Sequence, residues 1–342
     1  METKTTKMTN IPLNSIDQGS IMEVCRDLNV WNSFLERERE HQMVTIAHNP
    51  SLGGILEKTF GYKSFNYAIK VDEEIIGLFP MVRIGQKMVS MPHFSYGGAI
   101  VSHDFDKVLN LKDVVPEGRF EVRSFEKLSE HVYDKKISCV VKLSATADEQ
   151  IMAFRSKLRQ KLRKSEKMGF LVRKGGIDLL DDFYDLYSKK MLKFGSPAIG
   201  KVFYKNLLEL YEFGKAEITV LYDAGKVIAA GFSLSYLNFN EICWSATDCV
   251  YDKHNLHALI CWEMMKDSIG EYDYFSFGRS TKESNNHRFK KQWNPIELPI
   301  YYNYSEPVGT SLKEMTFLTK IWKLQPLKTS VFFGHYISKY VY

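Results

Sequence analysis

The stretch "YFSFGRST" (Tyr274 to Thr281) is followed, seven residues on, by "RFKKQW" (Arg288 to Trp293). Aromatic and small residues in close succession read as a buried strand. That strand ends on a glycine, an arginine and two hydroxyls, and then Arg288, Lys290 and Lys291 arrive together. Fixed cations and hydroxyl donors where a strand stops are the groups that hold an anion, or steady negative charge as it develops in a reaction. Arg279 suits a phosphate or carboxylate gripped by two parallel N–H bonds, with Ser280 and Thr281 as donors beside it. The plainer reading stays open: Arg279 pairs with a structural carboxylate and Lys290 lies on the surface.

A second concentration of charge lies upstream. In 151–169, Ile151, Phe154, Leu158 and Leu162 recur at three- and four-residue spacing, which predicts one helix with one apolar stripe. Around the stripe stand Arg155, Lys157, Arg159, Lys161, Arg163, Lys164 and Lys167, opposed by Glu166. A solvated face is the ordinary reading of such a run. Like charges packed on a few turns repel, however, and an anionic partner such as a phosphate-bearing substrate or RNA would relieve that cost. Arg159 and Arg163 are the residues expected to meet it.

Other constellations carry less. His254, His257 and Cys261 fall at i, i+3 and i+7, a zinc-compatible face, but no fourth ligand is visible and no metal is expected. Trp244, and Tyr96 at the head of "YGGA", are aromatic candidates for contact with substrate or donor, although aromatics in strands are most often core. No P-loop, GxSxG or HExxH occurs, so nucleotide hydrolysis, serine hydrolase and zinc protease chemistry have no support.

What must position these residues is legible as a twofold pattern. Phe65 to Val71 and Ile75 to Val82 flank "DEE" as a hairpin, and Ile218 to Tyr222 and Val227 to Leu234 flank "DAGK" as another. Helical segments precede each: 30–40 before the first, 179–192 and 204–213 before the second. A chain of 342 residues is long enough for two cores. The pattern predicts an α/β (α+β) protein of two related domains, 1–145 and 146–310, followed by a helical tail over 311–342. In that tail Phe317, Ile321, Trp322, Leu324, Leu327, Val331, Phe332 and Phe333 mix with Lys313, Lys320, Lys323, Lys328 and Lys339. Docking against the second domain is the favoured reading. Peripheral contact with an anionic membrane surface is the other.

With 44% hydrophobic residues, 25% charged and a net charge of +5, the chain has the composition of a soluble globular protein, too mildly basic to argue for nucleic acid by itself. Five cysteines without paired CxxC spacing fit a reducing compartment better than a disulfide scaffold. No secretory h-region opens the sequence and no apolar run approaches a membrane span, so a cytoplasmic protein is expected.

Several of these segments, taken in order, resemble the FemAB-type branch of the GNAT superfamily, nearest to the FemAB-related proteins of exosortase and exopolysaccharide systems. In the second half they are "KLRQKLRKSEKMGFLVRKGG", "DDFYDLYSKKMLKFGSPAIGKVFY" and "YDYFSFGRSTKESNNHRFKKQW". In the first half "AHNPSLGGILEKTFGYKSFNYAIKVDEEIIGLFPMVRIG" and "SMPHFSYGGAIV" agree, as does the tail "IWKLQPLKTSVFFGHYISKYVY". The resemblance spans residues 30 to 340. It implies tandem GNAT-like domains, each a central mixed sheet flanked by helices, with no coiled-coil insertion. It also implies transfer of an acyl or aminoacyl group onto an amine of a cell-envelope precursor, a peptidoglycan peptide or a polysaccharide amino sugar. By the same resemblance, the lysine of the pair Phe289-Lys290 stabilises the tetrahedral oxyanion. Two departures stand out: "SNNH" (Ser284 to His287) replaces a glycine-containing stretch, and Asn294 replaces a glycine.

The donor is expected to be aminoacyl-tRNA or acyl-CoA, with no bound cofactor. A CoA pyrophosphate needs close backbone approach at a helix start, which glycine provides. The turn after "EICWSATD" reads "CVYDKHNLHAL" without a glycine, which favours tRNA. Two alternatives remain: an acyl-CoA-dependent GNAT N-acetyltransferase, and a non-catalytic RNA- or anionic-polymer-binding module.

Overall fold

The first half of the chain runs β1 (Ser20–Val24), α1 (Leu28–Glu38), α2 (Leu52–Phe60), β2 (Lys63–Val71), β3 (Glu74–Ile84), β4 (Lys87–Val89), β5 (Ile100–Val101), β6 (Arg119–Ser124) and β7 (His131–Lys142). The second half runs α3 (Ala147–Ala153), α4 (Ser156–Glu166), β8 (Leu171–Gly175), α5 (Leu180–Phe194), α6 (Lys201–Leu210), β9 (Gly214–Asp223), β10 (Lys226–Tyr236), β11 (Phe239–Thr247), α7 (Leu256–Lys266), β12 (Tyr274–Thr281), α8 (Asn285–Lys290) and β13 (Ile296–Tyr304). Two helices close the tail, α9 (Thr316–Lys323) and α10 (Leu327–Ser338). This computed structural model describes residues 20–71, 73–105, 118–307 and 316–341. Leu312 and Lys313 of the tail, and Asp72 of the first turn, lie outside the described residues.

Both hairpins read from the sequence are present, β2 on β3 and β9 on β10. The second closes through Ala224 (φ 48°) and Gly225 (φ 82°). Left-handed backbone at both central residues is what a two-residue turn matched to strand twist requires. The predicted helix over 204–213 instead starts at Lys201 and ends at Leu210, because Tyr211 leaves helical geometry (ψ 86°) and its ring is buried.

The two halves were expected to carry separate sheets; they share one. Its order is β1-β2-β3-β4-β6-β13-β7-β12-β11-β10-β9-β8, with β5 on β3. The last strand, β13, returns from the second half to pair with β6 and β7 of the first, and β7 pairs in turn with β12. Each half thus covers an edge the other would leave open. Helices α1, α2, α5 and α6 bury one face in a core running from Trp31 through Phe203 to Tyr302. Helices α4 and α7 cover the opposite face of the second half around Phe154, Leu158, Trp262 and Trp293. The longest described helix, α5, has 15 residues, and none is long and apolar enough to cross a membrane among the described residues.

The basic helix departs from expectation. Instead of one helix over 151–169 there are two, broken at Phe154, whose backbone is extended (ψ 158°). The break is held by tertiary partners: the Phe154 ring packs edge-on against Trp262 and Trp293, and Arg155 N–H donates to the Gln292 carbonyl. Arg159 donates to the carbonyls of Met152 (2.9 Å) and Phe154 (3.2 Å), two acceptors that an ending helix leaves without partners. Phe154, Leu158 and Leu162 still enter one core, so the stripe was right and its continuity was not.

Candidate active site

Strands β11 and β12 are linked through the crossing helix α7 and run parallel. They pair only where Phe239 to Glu241 meets Tyr274 to Ser276. Beyond that β11 stays with β10, while β12 stays with β7, so the sheet parts between 242–247 and 277–281. At the fork β12 bulges: Ser276 faces Val140 and Arg279 faces Ser138, leaving Phe277 and Gly278 opposite Cys139 alone. Gly278 sits at φ 63°, and a Cβ there would lie 2.9 Å from Ser95 Oγ and 3.3 Å from Glu241 Oε1. A left-handed backbone and a crowded Cβ position both demand glycine, the usual residue for such a bulge. Gly278→Ala is expected to cost about 1–2 kcal/mol from the backbone term alone, read as a lower urea midpoint at unchanged slope.

Lys290 points at this bulge. It ends α8, whose N-cap Ser284 accepts from His287 N–H. His287 is buried. Its Nδ1 accepts from Glu283 N–H, which leaves Nε2 to donate to Glu297 Oε2 at 2.8 Å. Glu297 also pairs with Lys291 (3.3 Å), so β13 clamps α8 from both sides of Lys290. Asn294, which follows, has φ 52°. That position demands left-handed backbone, and asparagine tolerates it nearly as glycine does.

Lys290 is 5% exposed, and its Nζ donates to the carbonyls of Gly278 (3.0 Å) and Arg279 (3.1 Å). Burial pulls its pKa down to about 8, with Arg279 adding to the fall and Cys139, Glu241 and Cys261 opposing it. Two of its three donors are taken by the bulge, leaving the third and the charge itself.

The walls of the fork carry more. Phe289 stacks on His257 at 4.6 Å. His257 Nε2 lies 3.3 Å from Ser245 Oγ, and burial beside Lys190 and Lys290 brings its pKa down to about 3, so the ring is neutral. Lys190 from α5 donates to the Ser245 carbonyl at 3.1 Å.

Across the bulge, Glu241 is 2% exposed and gathers three hydroxyls: Tyr96 (2.8 Å) and Ser276 (2.9 Å) on Oε2, Ser95 (2.9 Å) on Oε1. Burial raises its pKa, while the hydroxyls and Lys290 pull it down. Arg279 donates to Tyr302 Oη (2.8 Å) and the Phe94 carbonyl (3.3 Å), and its own N–H to Ser95 Oγ. Burial opposes ionisation of Tyr302, but Arg279, Arg123 and Lys136 outweigh it and lower the pKa.

The structure thus gathers Lys290, Phe289, Arg279 and Tyr96 at one fork. Ser280 is buried next in line and accepts from Asn286. Trp244, on the β11 wall of the fork, turns its ring into a cluster with Phe203, Tyr204 and Phe232 and meets the Phe94 ring edge-on. Arg159 and Arg163 stand apart on α4. Arg159 is engaged with the α3 carbonyls, Arg163 is exposed, and α4 leans on the lysine segment through Lys161 and Gln292 (3.2 Å). Sequence reading missed Glu241, Ser95, Ser276 and Tyr302. The available signal was a carboxylate inside the apolar strand "FNEICWSAT", since a buried carboxylate needs a reason.

The turn before α7 is a 3-10 helix over Cys249–His254, entered from Asp248, whose Oδ1 accepts Val250 N–H at 3.0 Å and whose Oδ2 takes Lys226 at 2.8 Å. The bond from Lys226, then the Val250 N–H, hold its pKa down, so a carboxylate occupies an amide at the start of this turn. His254 belongs to this 3-10 helix, off the face of α7, and no group of potential ligands gathers around a metal position among the described residues.

Residues 152–291 match the family model described as an acetyltransferase (GNAT) domain. Among solved structures, the chain is similar to FemX (TM-score 0.61, 11% identity, 82% of this chain and 96% of that one). It is similar to the C-terminal domain of a putative lysylphosphatidylglycerol synthetase from Agrobacterium fabrum (0.51, 12%, 75% and 87%). It is also similar to a tandem GNAT protein from the clavulanic acid biosynthesis pathway (0.52, 8%, 85% and 99%). No curated protein matches it in sequence. Residues 152–291 thus match an acetyltransferase (GNAT) domain, and the chain as a whole shares the fold of these structures, a tandem GNAT protein among them.

Proposed function

We propose that this acyltransferase is of the FemAB kind. It moves an aminoacyl group from tRNA onto an amine of a cell-envelope precursor, with Lys290 holding negative charge at the reacting carbonyl. The observation that carries the reading is a buried lysine fixed on the bulge where two parallel strands part. The amine attacks the ester carbonyl to form the new C–N bond, the ester C–O bond breaks, and the terminal hydroxyl of the tRNA leaves carrying the proton the amine gives up. The negative charge that gathers on the carbonyl oxygen in between is stabilised without reorganisation by a fixed cation already out of water. Arg279, anchored by Tyr302 and Phe94, supports the bulge from the other side. Glu241, held by the hydroxyls of Tyr96, Ser276 and Ser95, faces the bulge from β11.

For the donor, the Asp248 carboxylate at the turn supports tRNA over CoA, because it repels a pyrophosphate and uses an amide that would bind it. The exposed cations of α4 offer a track for several phosphates. Incubation with a mixture of radiolabelled aminoacyl-tRNAs and a nucleotide-linked peptidoglycan precursor or amino sugar should label the acceptor. Label transfer from acetyl-CoA, and none from any aminoacyl-tRNA, would overturn the donor assignment.

A further inference from the structure

The tail packs against the body with Val331 and a row of small side chains and turns its aromatic residues Phe332, Phe333, Tyr336 and Tyr340 outward. On α10, Ser330, Gly334 and Ser338 recur every fourth residue and are buried. A Cβ on Gly334 would lie 2.7 Å from the Ala198 carbonyl oxygen, so the helix sits flush on the segment after α5. Tyr62 Oη donates to the Lys339 carbonyl at 2.5 Å and fastens its end. Docking, the favoured reading of the sequence, is what the structure shows.

The opposite face is the unexpected part. Phe332 (59% exposed), Tyr336 (59%) and Tyr340 (66%) form a stripe at the same four-residue spacing, with Phe333 beside it. Phe332 packs edge-on with both Phe333 and Tyr336, so the rings are contiguous. On α9, Ile321 is half exposed, and Leu324 just beyond it is 85% exposed. A helix destined for water puts its apolar residues against the core and its small polar ones outside. Here the arrangement is reversed, so the outer face is made for a second apolar phase.

Charge decides which phase. Residues 316–341 contain Lys320, Lys323, Lys328 and Lys339 and no aspartate or glutamate. Aromatic rings flanked by lysines alone complement a surface with an apolar interior and anionic head groups. We propose that α9 and α10 form an interfacial hairpin that seats the protein on an anionic lipid bilayer. The inference deepens the envelope-precursor reading: an acceptor carried on a lipid would be met at the surface where the enzyme rests.

The test is flotation of the full chain with vesicles, which needs neither donor nor acceptor and so can fail independently of the proposed transfer. Vesicles of phosphatidylglycerol and phosphatidylcholine should carry the protein upward, and phosphatidylcholine alone should carry much less. Lys320→Gln, Lys323→Gln and Lys328→Gln together should lower the partition coefficient about a hundredfold, at about fivefold per lysine. Phe332→Ser with Tyr336→Ser should abolish flotation, with Tm unchanged because neither ring is buried. No flotation on anionic vesicles, or equal flotation of both variants, would overturn the proposal. So would a concentration-dependent dimer that Phe332→Ser dissociates, since the face would then belong to a second copy.

Discussion

Replacing Lys290 with methionine or alanine is expected to lower kcat about a hundredfold or more, the scale for losing one preorganised donor to an oxyanion. Two buried carbonyls, those of Gly278 and Arg279, lose their donor as well, so stability should fall by about 1–3 kcal/mol. The assay must therefore be made on protein shown to be folded. Two further readouts separate a charge role from a merely structural one. With a pKa of about 8, the charged form of Lys290 is lost as pH rises past that value, and wild-type turnover should fall with it. The methionine variant should lack this limb.

The stability sign runs the other way. Folding lowers this lysine from its ordinary 10.5, so between about 8 and 10.5 the unfolded chain binds more protons and Lys290 makes stability rise with pH. Lys290→Met should flatten that rise. Full turnover in a folded Lys290→Met protein would remove the lysine from the chemistry.

Binding of charged tRNA is expected to weaken about a hundredfold between about 50 and 200 mM salt, as for some four phosphates neutralised. The structure refines which residues should report it. Arg159 is committed to the Met152 and Phe154 carbonyls, so Arg159→Ala would unsettle the break between α3 and α4 as well as remove a charge. Arg163 and Lys164 are exposed on the same helix. Arg163→Ala with Lys164→Ala should reduce the salt slope by about two with no change in Tm. Acetyl-CoA should give little or no thermal shift. A clear shift with acetyl-CoA, a weak salt slope and no effect of the double variant would together identify a CoA-dependent enzyme.

Local signals set out much of this molecule in the sequence. The hairpins were legible because a strand's side chains alternate in period two and their turns favour residues such as Gly225 that accept left-handed backbone. The amphipathic stripe through Phe154, Leu158 and Leu162 was legible for the same kind of reason, as was the adjacency of "FGRS" to the Phe-Lys pair. Other features belong to the tertiary structure alone. A break at Phe154 follows from Trp262, Trp293 and Gln292, each more than a hundred residues away in sequence, and no periodicity records a distant partner. The single sheet exists because β13 doubles back between β6 and β7, a long-range pairing that period-two alternation does not address.

The site divides in the same way. Residue types nominated Arg279 and the cations Arg288, Lys290 and Lys291, and the family resemblance picked Lys290 among them. That Lys290 is buried on a bulge, that Glu241 faces it through Tyr96, Ser95 and Ser276, and that Trp244 turns away depend on which face each strand presents after β11 and β12 part. A sequence names the charges available to a site. Burial and the partners folded around it decide which of them are held, how their pKa values move, and which are left for chemistry.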